Sequence, residues 1–189
     1  YGTTFQFLLC RNLVSPNAIL YNMNQNYGLR YCTERRAFMP VDYHLHSQFS
    51  GDSKTTLEAI CNTAVERGIS EIAITDHMDY SYPDMRPDHQ IANIDDYFHT
   101  IAHYQERYKG VLTIRTGIEI GMEPHHLASC DAFLKQYPFD FVIGSIHECC
   151  GLPVSRAVYF ENKTKEQAYE TYYRAVLECV KAFDNFDVI

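Results

Sequence analysis

A chain of 189 residues, 46% hydrophobic and 21% charged, can bury one sizeable core, which excludes wholesale disorder. Its 24 acidic against 16 basic residues give a net charge of −8, a poor match for a phosphate backbone, so no nucleic-acid partner is expected. No apolar run approaches the roughly 20 residues of a membrane span, the opening YGTTFQFLLC lacks the basic segment of a signal peptide, and seven cysteines without regular spacing read as reduced thiols in a cytoplasmic protein with no membrane partner.

Residues 1–38 stand apart. They set Arg11, Arg30, Arg35 and Arg36 against Glu34 alone, contain no His, Lys or Asp, and show no sustained apolar period. Met39 directly precedes the first orderly pattern. Two readings fit: a native N-terminal extension, or sequence outside the fold, with the fold proper running over 39–189.

From there strand and helix patterns alternate. Val41, Tyr43 and Leu45 interleave with Asp42, His44 and His46, the period of a strand. Thr55-x-x-Glu58 has the form of a capping box, opening a helix with Leu57, Ile60, Cys61, Ala64 and Val65 at helical spacing and Gly68 at its end. Residues 71–75 predict a short buried strand. Asn93 caps a helix bearing Ile94, Tyr97, Phe98, Ile101 and Tyr104, stopped at Gly110. A β-branched strand follows over 111–120. Pro124 opens a helix with Leu127, Cys130 and Leu134, and 139–146 form the next strand. Thr164-x-x-Gln167 caps a long helix carrying Tyr169, Tyr172, Tyr173, Val176, Val180 and Phe183, and 186–189 begin a fifth strand. Such alternation implies an α/β fold with a parallel sheet and helices outside it. Four and a fraction such units are too few to close a β/α barrel.

Chemistry collects at the strand ends. His44 and His46, at i and i+2 of a strand, point to one face and can share a metal ion, although an isolated H-x-H is more often an exposed or hydrogen-bonded pair. Asp52 follows in the loop after that strand. Asp76 and His77 close the strand EIAIT, where Asp76 either orients an imidazole from behind or caps a turn. Glu119 lies late in the apolar strand TIRTGIEIG, costly to bury without a cation. His147 ends FDFVIGSIHE. Parallel strands bring such ends to one rim, and the mixture of imidazole and carboxylate suits zinc, iron or manganese. His89, His99, His103, His125 and His126 fall in loops or helices and read as surface residues, and the cysteines as structural.

These motifs resemble the PHP superfamily, named for polymerase and histidinol phosphatase. VDYHLHSQFSGD is similar to its first motif, EIAITDH to its second, GIEIG and GSIHE to its third, within 39–189. The string PVSRAVYFENKTKEQAYETYYRAV, and Asp at position 52, resemble the histidinol-phosphatase branch. The resemblance implies the N-terminal part of a distorted seven-stranded β/α barrel, incomplete in this chain, with up to three divalent ions (zinc, iron or manganese) at its carboxyl rim. It implies that His44, His46 and Glu119 hold the first ion, Glu119 and His147 the second, and Asp52 and His77 the third, with three further ligands expected beyond Ile189. The implied activity is hydrolysis of L-histidinol phosphate to L-histidinol and phosphate, in histidine biosynthesis, by a metal-activated water. Asp76 would stand behind a ligand. Arg156 and Arg86 are candidates for holding the phosphate of this small substrate, each equally readable as a surface arginine. Two alternatives stay open: a PHP phosphoesterase with another substrate, and an inactive metal-binding fragment. Nothing in the sequence indicates the oligomeric state.

Overall fold

A computed structural model describes residues 40–80 and 90–189. Residues 1–38, Met39, Arg86 and His89 lie outside the described residues.

Strand β1 (Val41–Leu45) pairs in parallel with β2 (Glu71–Ile74), as the alternating pattern and the apolar run predict. A two-residue strand, β3 (His77–Met78), follows after a break at Thr75 and Asp76. Both β2 and β3 pair in parallel with the long strand β4 (Thr113–Gly121), Ile74 opposite Thr116 and His77 opposite Glu119, with no change of register across the break. They are therefore two halves of one interrupted strand. On the other flank of β4 lies β5 (Phe141–Ser145), Glu119 facing Ile143. Val188 then bridges Ile143 in parallel, so the expected fifth strand docks beside β5. Strands thus follow one another across the sheet in chain order, which places their carboxyl ends on one rim.

The break is built, not accidental. Thr75 donates its N–H to the Leu45 carbonyl at 2.8 Å, and its hydroxyl accepts from the Leu45 N–H at 3.0 Å. The fully buried Tyr97 reaches in from outside the sheet, its hydroxyl 2.9 Å from both the Ile74 and Gly117 carbonyls. Gly117 leaves room for this packing, since a Cβ there would lie 2.9 Å from the Ile74 carbonyl.

Helix α1 (Leu57–Glu66) buries Leu57, Ile60, Cys61 and Ala64. Its cap is Thr56, whose hydroxyl accepts from the Ala59 N–H, rather than Thr55: the Thr55 carbonyl is already taken by the Gln48 N–H, which holds that residue in the preceding loop. Gly68 ends the helix at φ 69°, a left-handed conformation that favours glycine. Helix α2 (Ile94–Arg107) is capped by Asn93 and buries Tyr97 and Ile101. Helix α3 (Leu127–Gln136) starts three residues later than Pro124, because Glu123, Pro124 and His125 form a turn before it. Helix α4 (Lys165–Ala182) has the expected capping box, Thr164 and Gln167 each bonding the other's backbone N–H. Between β5 and α4 a small hairpin was not foreseen: β6 (Glu148–Cys149) and β7 (Leu152–Pro153), joined by Cys150 and Gly151 at φ 56° and 74°. No helix among the described residues is long and apolar enough to cross a membrane.

Candidate metal centre

The carboxylate of Glu119 is the centre around which the strand ends are organised. It sits near the end of β4, 2% exposed. His44 and His46, on one face of β1 and its continuation, both direct Nε2 at its Oε2, at 3.0 and 2.7 Å. His77, its strand neighbour in β3, places Nδ1 3.5 Å from the same oxygen. His147, just past β5, reaches the other oxygen, Oε1, with Nε2 at 3.0 Å. Ser145 donates its hydroxyl to Oε1 at 2.6 Å. A row of imidazoles results, with centroids 5.1 Å apart for His44 and His46, 4.3 Å for His46 and His77, and 4.9 Å for His77 and His147.

Two more carboxylates flank this row. Asp52 lies 2.9 Å from His46 Nδ1 and 3.5 Å from His77 Nε2. Asp79, buried beside β3, places Oδ1 2.9 Å from His147 Nδ1 and Oδ2 4.0 Å from His77 Nδ1. The six expected ligands are therefore brought together. Asp79 was missed by sequence reading, although the signal was there: the i, i+2 relation that pairs His44 with His46 also pairs His77 with Asp79.

Of the two roles open to Asp76, behind an imidazole or holding a turn, its hydrogen bonds are of the second kind. Its two oxygens accept from the Ser47 N–H and the Ser47 hydroxyl, each at 2.7 Å and fully buried. It ties down the loop after β1, and the imidazole partner is Asp79 instead. Ser50 completes the anchor by accepting the His77 N–H at 2.9 Å. Arg156 is half-buried and opens the 3-10 turn over Ala157–Phe160 that follows the hairpin. Of the histidines read as surface residues, His99 and His103 are exposed on α2. The cysteines among the described residues are free, and all but Cys150 are buried.

Electrostatics mark the cluster as a place where charge is held by partners. Burial alone would push the Glu119 carboxyl up, but hydrogen bonds from His147, His44 and His46 hold it well below the usual carboxylate range. Burial works against a charged His46, yet its bonds to Glu119 and Asp52 lift it to about 9. His147 is lifted to about 10 by Asp79 and Glu119 against the same penalty. His77 moves the other way, lowered chiefly by burial. Burial opposes ionisation of Asp52, but its bond to His46 keeps its carboxyl below the ordinary value.

The donors fall into three overlapping groups, each with its ligand atoms within 4.8 Å of one another: His44, His46 and Glu119; His46, Asp52 and His77; His77, Asp79 and His147. Imidazole and carboxylate converging in this way fit a divalent ion of zinc, iron or manganese type.

Comparison with known proteins bears on the same residues. A PHP domain model matches residues 42–189. The histidinol-phosphatase of Lactococcus lactis is 34% identical over 148 residues, 78% of this chain and 54% of that protein. The histidinol-phosphatase of Bacillus subtilis is 28% identical over 160 residues, 75% of this chain and 60% of that protein. A crystal structure of histidinol phosphate phosphatase from Lactococcus lactis, complexed with zinc, L-histidinol and phosphate, superposes with a TM-score of 0.74 at 34% identity, covering 78% of this chain and 56% of that one. The chain spans a little over half the length of the relatives it matches.

Proposed function

Because the chain belongs to the PHP domain family, we propose that it forms the metal-binding part of a phosphomonoester hydrolase acting on L-histidinol phosphate, with release of L-histidinol and phosphate. The observation that carries this reading is Glu119: one buried carboxylate meets imidazoles delivered by β1, β3 and the end of β5. Burying that charge is costly unless cations surround it. The zinc, L-histidinol and phosphate bound by the Lactococcus lactis enzyme support the choice of substrate.

His44, His46 and Glu119 would hold one ion, Asp52 and His77 another, and His147 with Glu119 a third. When bound, such ions supply Lewis-acid charge to phosphoryl oxygens and acidify a water near neutral pH. The chain's own residues do the positioning. Asp52 accepts a hydrogen bond from the Nδ1–H of His46 and leaves its Nε2 directed at the cluster. Asp79 does the same for His147. Ser145 fixes the rotation of the Glu119 carboxylate. With the charge of three divalent ions set against only Asp52, Asp79 and Glu119, a loaded cluster would keep net positive charge for a phosphate dianion. Arg156 is the described candidate for a bidentate phosphate contact. The same reading places the protein in the cytoplasm, in histidine biosynthesis.

The test is phosphate release by the full-length protein, loaded with zinc or manganese, from L-histidinol phosphate and from a panel of sugar phosphates and nucleotides. Histidinol phosphate should give the highest kcat/KM. His44→Ala should lower kcat by roughly a hundredfold or more, since charge stabilisation at the phosphoryl group is lost. Unchanged kcat in that variant, or a clear preference for another phosphate ester, refutes the reading.

A further inference from the structure

A fourth group of donors, Glu123, His125 and His126, shares no residue with the three groups around Glu119. Sequence alone placed both histidines on the surface without a role. The fold gives them a common target. Glu123 follows the end of β4 and is 8% exposed. Its backbone is fixed from both sides: the Met122 N–H donates to the Ser145 carbonyl at 2.7 Å, and the His126 N–H returns to the Glu123 carbonyl at 2.9 Å. The intervening turn through Pro124 folds His125 back over the carboxylate, with Nε2 3.1 Å from Glu123 Oε2. His126 stands at the N-cap position of α3 but its ring does not cap the helix. The ring lies instead against His125, centroids 4.2 Å apart, with Tyr80 stacked on it at 6.0 Å.

A second buried acid adjoins this triad. Glu148, 6% exposed in β6, faces the Glu123 carboxyl, and burial pushes its own carboxyl up. Two carboxyls close together away from water cannot both ionise unless a cation sits between or beside them. The two histidines are the cation-binding groups that the fold sets against this pair.

We propose that Glu123, His125 and His126 form an additional divalent-metal site, independent of the Glu119 cluster, that takes zinc or a similar borderline ion. One carboxylate and two imidazoles are the donor set of open zinc sites, which leave a coordination position to solvent. Tetrahedral bonds of about 2.1 Å set donor atoms roughly 3.4 Å apart, close to the 3.1 Å between His125 and Glu123. With two nitrogen donors of three, the site disfavours magnesium and calcium, which take oxygen ligands. His125 is the exposed member, so the site opens to solvent on its side. The proposal stands whether or not the Glu119 cluster acts on histidinol phosphate.

The experiment is a zinc titration of the full chain by calorimetry, with metal analysis after dialysis. A His125→Ala/His126→Ala variant should retain one zinc equivalent fewer than the parent. His99→Ala/His103→Ala, which removes two exposed histidines of α2, should retain all of them. In a His44→Ala/His147→Ala background the zinc of this site should persist and disappear when His125→Ala is added. The exposed single variant His125→Ala leaves the core untouched and should weaken this one class of site at least tenfold. Cobalt replacing zinc gives an independent signature, a visible band lost in the double variant. Identical stoichiometry and isotherms for parent and His125→Ala/His126→Ala overturn the proposal, as does unchanged affinity in His125→Ala.

Discussion

Asp79 occupies the space that a side chain on Gly121 would need: a Cβ there would lie 1.9 Å from Asp79 Oδ1. That same oxygen accepts from His147 Nδ1 at 2.9 Å and so turns Nε2 of the ring toward Glu119. The bare Cα of Gly121 is what lets a carboxylate stand behind His147. Gly121→Ala should therefore displace Asp79 and loosen His147, lowering zinc affinity of the Glu119 cluster by roughly 10–100-fold. The overpacking should cost about 1–3 kcal/mol. Asp79→Asn removes the charge without the clash and should lower affinity with a smaller loss of stability. Zinc isotherms beside thermal melts separate the two effects. Parent-like affinity in both variants would show that His147 holds its orientation without Asp79.

Tyr97 offers a test of how the interrupted strand is supported. Its hydroxyl, fully buried, is shared between the Ile74 carbonyl of β2 and the Gly117 carbonyl of β4. Tyr97→Phe keeps the ring and removes that donor. Losing a buried hydrogen bond of this kind costs about 1–3 kcal/mol. Urea denaturation should show a lower midpoint at an unchanged m-value. A midpoint equal to that of the parent would mean the two carbonyls are served equally well by other groups.

The strand-end candidates were legible because a strand is a simple object. His44 and His46 alternate out of β1 by the two-residue period, and His77, Glu119 and His147 each close an apolar run, so one rim follows from parallel pairing alone. What escaped depends on three-dimensional accidents of the loops. Thr55 and Thr56 are chemically equal as caps, and only the Gln48 N–H on the Thr55 carbonyl decides between them. Asp76 and Asp79 are equally placed to back an imidazole, but Ser47 captures Asp76 first. Cys150 and Gly151 form a hairpin turn with a cysteine in a conformation that cysteine seldom adopts. Glu123 and His125 face each other only because the chain turns at Pro124.

Acid should weaken the amino-terminal edge of the sheet through Glu71. The Tyr43 hydroxyl donates to its carboxylate, and Arg115 Nε does so at 2.7 Å. These bonds, Tyr43 first, hold the Glu71 carboxyl below its ordinary value near 4.5. A carboxyl with a depressed folded-state pKa contributes stability that is present above the unfolded value and lost as pH falls through the folded value. Arg115 is nearly half exposed, so the contribution is small, about 1 kcal/mol or less, and weakened by salt. Glu71→Gln should melt below the parent at pH 7, and the two curves should converge as pH falls from about 5 to about 3. A constant gap across that range would place the stabilisation in packing and not in the charge.

The adjacent pair Cys149 and Cys150 should react very differently. Cys149 is 3% exposed in β6, and burial pushes its thiol up to about 11. Cys61 and Cys179 are likewise pushed to about 11, and Cys130 to about 12, all by burial. Cys150 sits at the exposed turn of the hairpin. Only the thiolate is nucleophilic, so at pH 8 the buried thiols have about a thousandth or less of their population in the reactive form as well as no access to reagent. Native iodoacetamide labelling followed by peptide mapping should modify Cys150 at least a hundredfold faster than Cys61, Cys130, Cys149 or Cys179. Adding denaturant should erase the difference, because both burial and access are then equal. Comparable native rates for Cys149 and Cys150 would mean that the hairpin opens on the timescale of labelling, and that β6 does not shield the thiol beside the buried Glu148.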